Sequence, residues 1–509
     1  MLIQDYLINS ATSYPKKEVI ITAKKRLTYS ELLSDSKKIA LWLINNGMNV
    51  GDRVGILMDE PFEYVKSYFG ILLAGGVVVA MNSQTTVRSL KYQSNNCEVS
   101  FLLTQHKFVK YLKDLSGHVT SLKSVVVSGL NDKEDCNKFS FGVENFEDMI
   151  SHVYQGSPSL PAVDPDELAQ IIYTSGTTGE PNGVMLRHKN LIANTTSIVK
   201  YLKLTEVDRV MAVLPFFYSY GNSLLLTHIA VGGSIVVNQH FLYPNVILDE
   251  MVGEEVTGFS GVPSTFAILL NRSSIREYEF PSLRYITQAG GAMSPKLARE
   301  INDILPDTDV YIMYGQTEAA ARLSYLKPEF LISKAGSIGK AIPGVDLKLL
   351  DSEGNAVPDG KVGEIVAQGE NIMAGYWGNP EKTAQVLRAD GLWTGDLAKQ
   401  DNDGYFYIVS RKSEMIKSGA HRISPKEIEE VIHEYASVHE VAVVGMEDET
   451  LGERIKAYIV LKEGYDPNKL EIMRHCKHML PPFKIPHDVE FMCELPKTTS
   501  GKVRKKELS

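Results

Sequence analysis

A chain of 509 residues is longer than one hydrophobic core usually supports, so at least two domains are expected. Its 44% apolar and 23% charged residues are ordinary for a globular protein, and a net charge of −9 argues against nucleic acid as the main partner. The four cysteines, Cys97, Cys136, Cys476 and Cys493, form no CxxC pair, which argues against a disulfide framework and for a reducing cytoplasm.

Residues 1–14 include Asp5 and have no basic start, so they are not read as a secretory signal. Residues 54–57, 77–80 and 235–237 are short apolar runs separated by longer helical patterns. That rhythm predicts parallel α/β layers with both sheet faces covered. The longest apolar run, residues 70–81, is too short and glycine-rich to cross a bilayer, and a strand after a helix explains it better. No transmembrane segment is expected.

Residues 168–172 read as a buried strand. They lead into Tyr173-Thr174-Ser175-Gly176-Thr177-Thr178-Gly179-Glu180-Pro181-Asn182-Gly183-Val184. Glycines let a backbone fold its N–H groups around an anion, and Ser and Thr hydroxyls add donors to the same concavity. The loop is therefore a candidate phosphate cradle. It is not a Walker loop, because no Gly-Lys-Ser/Thr closes it.

After Gly344 the texture changes. Residues 346–350, 363–367 and 405–409 are short strands split by turns such as Asp401-Asn402-Asp403-Gly404, which predicts a small antiparallel β unit closing the large domain. A second domain is expected from about Ser413. Ser424-Pro425-Lys426-Glu427 has a capping-box pattern, and Ile428, Val431, Ile432 and Tyr435 then form one apolar helix face. Strands follow at residues 441–444 and 455–459. His475, Cys476 and His478 are the only metal-like cluster; with no fourth ligand at zinc-finger spacing, they read as helix surface. Neither a Gly-x-Ser-x-Gly elbow nor a His-Glu-x-x-His motif occurs.

Three further segments accompany the glycine-rich loop: Tyr314-Gly315-Gln316-Thr317-Glu318, Thr394-Gly395-Asp396 and Leu495-Pro496-Lys497-Thr498-Thr499-Ser500-Gly501-Lys502. In this order the four resemble the acyl-adenylate-forming superfamily of acyl-CoA synthetases, luciferases and peptide-synthetase adenylation domains. The resemblance runs from residue 27 to Lys502.

It implies an α/β fold with a large N-terminal domain of layered sheets plus a small β unit, residues 1–410, and a small mobile α+β domain, residues 411–509. It also implies ATP, Mg²⁺ and CoA, or a carrier protein's phosphopantetheine, as cofactors and acceptor, and a carboxylic acid as substrate. A homodimer is left open.

By resemblance, Lys502 supplies the charge that stabilises attack on the α-phosphate, Thr317 contacts that phosphate, and Glu318 holds Mg²⁺. The loop from Thr174 through Ser175, Gly176, Thr177, Thr178 and Gly179 holds the phosphates. Gly290-Gly291-Ala292 flanks the adenine, with Tyr314, Gly315 and Gln316 nearby. Asp396 and Arg411 contact the ribose. Ser413 matches the hinge, and Lys417-Ser418-Gly419 resembles the loop along the thiol tunnel.

The chain departs from the family pattern at Asn182, where a lysine is usual, at Ser410 and Ser413 beside the hinge, and at Tyr218, where a histidine is common. Lys502, Glu318, Thr317 and Asp396 are intact, so an active enzyme is expected. Amino-acid-activating relatives carry an Asp after the Phe of the aromatic segment, whereas here Phe217 is followed by Tyr218. Phe216, Phe217, Tyr218, Tyr220, Gly221, Gly261 and Phe266 instead predict an apolar wall suited to an acyl chain or an aryl acid. An attenuated adenylate-binding protein is the competing expectation, resting on Asn182 and Ser413 alone.

Overall fold

The computed structural model describes residues 1–130, 138–152, 160–174, 181–238, 241, 243–412, 414–418, 421–448, 452–497 and 503–508. Two large sheets organise the chain from Glu18 to Tyr376. The nine-stranded sheet runs, in spatial order, Lys340–Ala341, Ser324–Leu326, Asp309–Tyr314, Tyr285–Gln288, Gly258–Gly261, Arg209–Ala212, Ser234–Val237, Glu18–Ile21 and Arg26–Thr28. From Asp309–Tyr314 to Glu18–Ile21 every neighbouring pair is parallel, and the edges are antiparallel. The eight-stranded sheet runs Gly375–Tyr376, Asn182–Arg187, Leu168–Thr174, Val77–Ala80, Arg53–Leu57, Phe101–Gln105, Ser124–Ser128 and Gly142–Asn145. It is parallel from Leu168–Thr174 onward.

Helices Ile3–Ser13, Tyr29–Asn45, Pro61–Leu73, His188–Leu202 and Ser219–Val231 share one core with both sheets. Parallel strands buried on both faces explain the unbroken apolar runs at residues 54–57, 77–80 and 235–237. Residues 70–81 divide as expected between the end of helix Pro61–Leu73 and strand Val77–Ala80. Gln170 breaks the apolar run of its strand yet is fully buried, because its carbonyl accepts from the Tyr68 hydroxyl and the Asn222 amide.

The texture change after Gly344 is a five-stranded antiparallel sheet, Val345–Leu350, Gly363–Gly369, Gly391–Gln400, Leu387–Arg388 and Phe406–Arg411. A separate sheet, Ile416–Ser418, His421–Ile423, Gly452–Leu461, Val438–Asp448 and Asp488–Phe491, packs with helices Pro425–His433 and Lys469–Met479 around its own core. Among the described residues, no helix is long and apolar enough to cross a membrane.

Two local expectations are corrected. Ser424 does precede helix Pro425–His433, but its hydroxyl makes no cap. It donates instead to the Val409 carbonyl, while Glu427 pairs with Lys484. The reciprocal capping box forms at Thr28 and Glu31, at the head of helix Tyr29–Asn45. Cys476 is not helix surface: it is fully buried against Ile428 and Ile472, and His475 bonds the Val431 carbonyl. Among the described residues, no His, Cys, Asp and Glu cluster could hold a metal.

Candidate active site

The parallel sheet explains why segments a hundred residues apart meet. Strands Arg209–Ala212, Gly258–Gly261, Tyr285–Gln288 and Asp309–Tyr314 are consecutive neighbours, and their carboxyl ends lead into residues 214–221, 261–263, 289–292 and 315–318. Open α/β sheets bind ligands at that edge. Strand Leu168–Thr174 of the second sheet delivers the glycine-rich loop. Ser175, Gly176, Thr177, Thr178 and Gly179 lie outside the described residues, as do Ser413, Gly419 and Lys502, and the Lys417 side chain.

Asp396 is the best-defined side chain of the site. Its Oδ2 accepts from the Tyr314 hydroxyl at 2.7 Å and its Oδ1 from Arg411 Nε at 2.8 Å. The side chain of Asp396 is only 5% exposed, whereas that of Arg411 is 48% exposed. Asp396 and Arg411 face each other in register on paired strands, so the sheet itself sets the contact. Burial and the adjacent carboxylate push the Tyr314 phenol well up, which keeps it a donor at neutral pH, and the same carboxylate raises Arg411. Gly395, with φ of +75°, supplies the turn that aims Asp396, and its N–H is held by Glu364.

Thr317 and Glu318 sit in a short turn after strand Asp309–Tyr314. The turn is tight: a Cβ on Gly315 would lie 2.0 Å from the Ala321 carbonyl oxygen. It is also strained, since Ala320 and Ala321 have φ of 54° and 121°. Buried Asn194 and Asn371 hold it by donating to the Arg322 carbonyl at 3.1 and 2.8 Å. Ser219 Oγ lies 3.2 Å from Thr317 Oγ1. Glu318 Oε1 accepts from the Tyr376 hydroxyl at 2.8 Å, and among the described residues Oε2 has no partner. Tyr376, Asn194, Asn371 and Ser219 were not legible as site residues, because each lies 49 or more residues in sequence from the residue it contacts in the turn.

The donor set fits a nucleotide and a hard cation. Glu318 offers one free carboxylate oxygen of the kind Mg²⁺ prefers. Gln288 Oε1 and Gln316 Nε2 are buried without partners among the described residues, both at the binding edge. Between them, Gly290 has φ of +85°, and Gly291 and Ala292 are exposed.

The aromatic segment divides. Phe217 and Tyr218 are in contact, with centroids 4.5 Å apart, and the Tyr218 hydroxyl accepts from Asn82 at 3.2 Å. Phe216 packs on Tyr64 and Phe266 on Phe259, both nearly fully buried, so these two serve the core. Tyr220 is buried and bonds Thr287. Gly221 has a backbone reason: a Cβ there would lie 2.0 Å from the Pro215 carbonyl oxygen. A Cβ on Gly261 would instead lie 2.8 Å from the side chain of Thr265. Ser418 is buried in strand Ile416–Ser418.

A family model described as AMP-binding enzyme matches residues 7–377, and one described as AMP-binding enzyme C-terminal domain matches residues 427–502. The chain belongs to the AMP-binding enzyme family. It is 32% identical to a long-chain-fatty-acid–CoA ligase of Bacillus subtilis, over 99% of this chain and 94% of that one. An anthranilate CoA ligase solved with anthranoyl-AMP superposes with a TM-score of 0.89 at 27% identity, covering 100% and 96% of the two chains. O-succinylbenzoate CoA synthetase of Bacillus subtilis, solved with ATP and magnesium, gives 0.86 at 28% identity, over 99% and 98%. This AMP-binding enzyme is an acid–thiol ligase: it activates a carboxylic acid as the acyl adenylate, releases pyrophosphate and transfers the acyl group to CoA.

Proposed function

We propose that the acid is apolar, a fatty or similar acyl chain, that residues 1–410 bind ATP and the acid, and that residues 411–509, which carry Lys502, move between the two half-reactions. The observation that carries the substrate reading is the Phe217–Tyr218 pair. The Tyr218 hydroxyl accepts from the neutral amide of Asn82, and Tyr218 itself follows Phe217 where amino-acid-activating relatives carry an aspartate. An amino acid's ammonium would lose its hydration there without that aspartate to pair with. The fatty-acid ligase of Bacillus subtilis supports the same reading.

In the first half-reaction a carboxylate oxygen attacks the α-phosphorus, and the bond to pyrophosphate breaks. Tyr314, Asp396 and Arg411 fix the ribose end of the nucleotide, Gly290 to Ala292 flank the adenine, and Thr317 faces the α-phosphate. Glu318 would hold Mg²⁺, which when bound neutralises phosphate charge. The glycine-rich loop holds the leaving phosphates, and Lys502 places its charge on the oxygens of the α-phosphate as attack proceeds. Movement about Ser413 then exchanges Lys502 for the Lys417-Ser418-Gly419 segment. The thiol sulfur attacks the acyl carbon, AMP leaves, and the thiol proton passes to solvent.

Specificity constants for acetate, hexanoate, decanoate, benzoate and phenylalanine test the acid. Each buried methylene contributes roughly 0.8 kcal/mol, so kcat/KM climbs about fourfold per methylene until the pocket closes. A preference for phenylalanine over every unsubstituted acid overturns the reading.

A further inference from the structure

The segment 373–377 touches both halves of the phosphate-handling machinery. At one end the Met373 N–H donates to the Glu318 carbonyl at 2.9 Å. At the other, strand Gly375–Tyr376 pairs with Met185 and Val184, and the Trp377 N–H donates to the Gly183 carbonyl at 2.7 Å. Gly183 and Val184 belong to the strand that leaves the glycine-rich loop. Between these anchors the Tyr376 hydroxyl reaches Glu318 Oε1 at 2.8 Å. Tyr376 is 7% exposed, so its ring has little freedom to leave that contact.

We propose that Tyr376 is a positioning residue: it fixes the Glu318 carboxylate for the magnesium-bound triphosphate and ties that carboxylate to the arm of the phosphate loop. The inference rests on the assignment of Glu318 to Mg²⁺ given above. Its physical logic lies in the choice of a neutral donor. A lysine or arginine here would orient the carboxylate but cancel its charge. A phenol orients one oxygen and leaves both the negative charge and the second oxygen for a cation.

Tyr376→Phe removes one oxygen and keeps the ring in the core. Calorimetric binding of ATP, with magnesium and separately with EDTA, tests the proposal apart from turnover. Tyr376→Phe is expected to weaken magnesium–ATP by about tenfold, the worth of one hydrogen bond to a charged group, and to leave ATP in EDTA unchanged. In the Glu318→Gln background the added Tyr376→Phe change should have no further effect on magnesium–ATP. Equal weakening with and without magnesium would show a packing role and overturn the proposal, as would unchanged binding in both. If Glu318→Gln itself keeps the full gain from magnesium, the assignment of Glu318 fails first and takes the inference with it.

Discussion

At the residue scale the account depends on where charge is placed. Lys502 acts only while the α-phosphate is under attack, so Lys502→Ala should slow adenylation by on the order of 10²–10³ while sparing thioester formation from supplied acyl adenylate. Comparable losses in both half-reactions would contradict that division. Asp396→Asn keeps the shape of the ribose contact but removes the charge that Arg411 and Tyr314 share. An increase of about tenfold in the KM for ATP is expected, with the KM for the acid unchanged. Asn182 begins the strand after the phosphate loop, and its carbonyl lies 3.5 Å from Thr174 Oγ1. Asn182→Lys should tighten ATP binding by restoring a cation beside the phosphates; unchanged affinity would mean that the position faces solvent. The four motifs were legible because each is local, a run of a few consecutive residues. The contacts that orient them were not. Tyr376 to Glu318 and Tyr314 to Asp396 join residues 58 and 82 apart, and nothing local in the sequence pairs them.

At the element scale, glycines at the strand ends decide whether the site closes. Gly315→Ala would drive a Cβ into the Ala321 carbonyl and displace the Thr317–Glu318 turn. Adenylation should fall by more than tenfold, with a stability loss of about 1–3 kcal/mol in denaturant titration. The alternation of apolar runs and helical patterns foretold the parallel sheets well, since strands covered on both faces carry continuous apolar sequence. Ser424 shows the limit of local pattern. Its Ser-x-x-Glu spacing permits a cap, but the Val409 carbonyl competes for the hydroxyl and Lys484 for Glu427. That competition ties helix Pro425–His433 to the strand Phe406–Arg411 of the large unit, with Lys426 adding a bond to the Ile408 carbonyl. Likewise Phe216 and Phe266 look like pocket aromatics in sequence and are core in three dimensions, because Phe216 packs on Tyr64 and Phe266 on Phe259.

At the scale of the whole molecule, acid should loosen the large unit. Burial drives the imidazoles of His188 and His228 down to about 4 from an ordinary value near 6.5. Both are locked in neutral networks, His188 accepting from the Ile3 N–H and His228 bonding Tyr285 and the Leu224 carbonyl. The unfolded chain binds two protons between those limits that the fold refuses. Stability is therefore complete above 6.5 and falls as pH drops toward 4, by up to about 1.4 kcal/mol per pH unit for each group. His228→Gln should flatten the decline of the thermal midpoint between pH 6.5 and 4.5; an unchanged slope would place the acid sensitivity elsewhere. Movement of the C-terminal unit about residue 413 is the other whole-molecule expectation. Ser413→Pro should hinder thioester formation more than adenylation by fixing one backbone angle.

Adenylate formation at this strand-end site is the claim on which the rest stands, and exchange of labelled pyrophosphate into ATP, run without CoA, tests it most directly. The account predicts exchange that requires magnesium and an added acid, is faster with decanoate than with acetate or phenylalanine, and is nearly abolished in Lys502→Ala. Binding of ATP without exchange for any acid would contradict it.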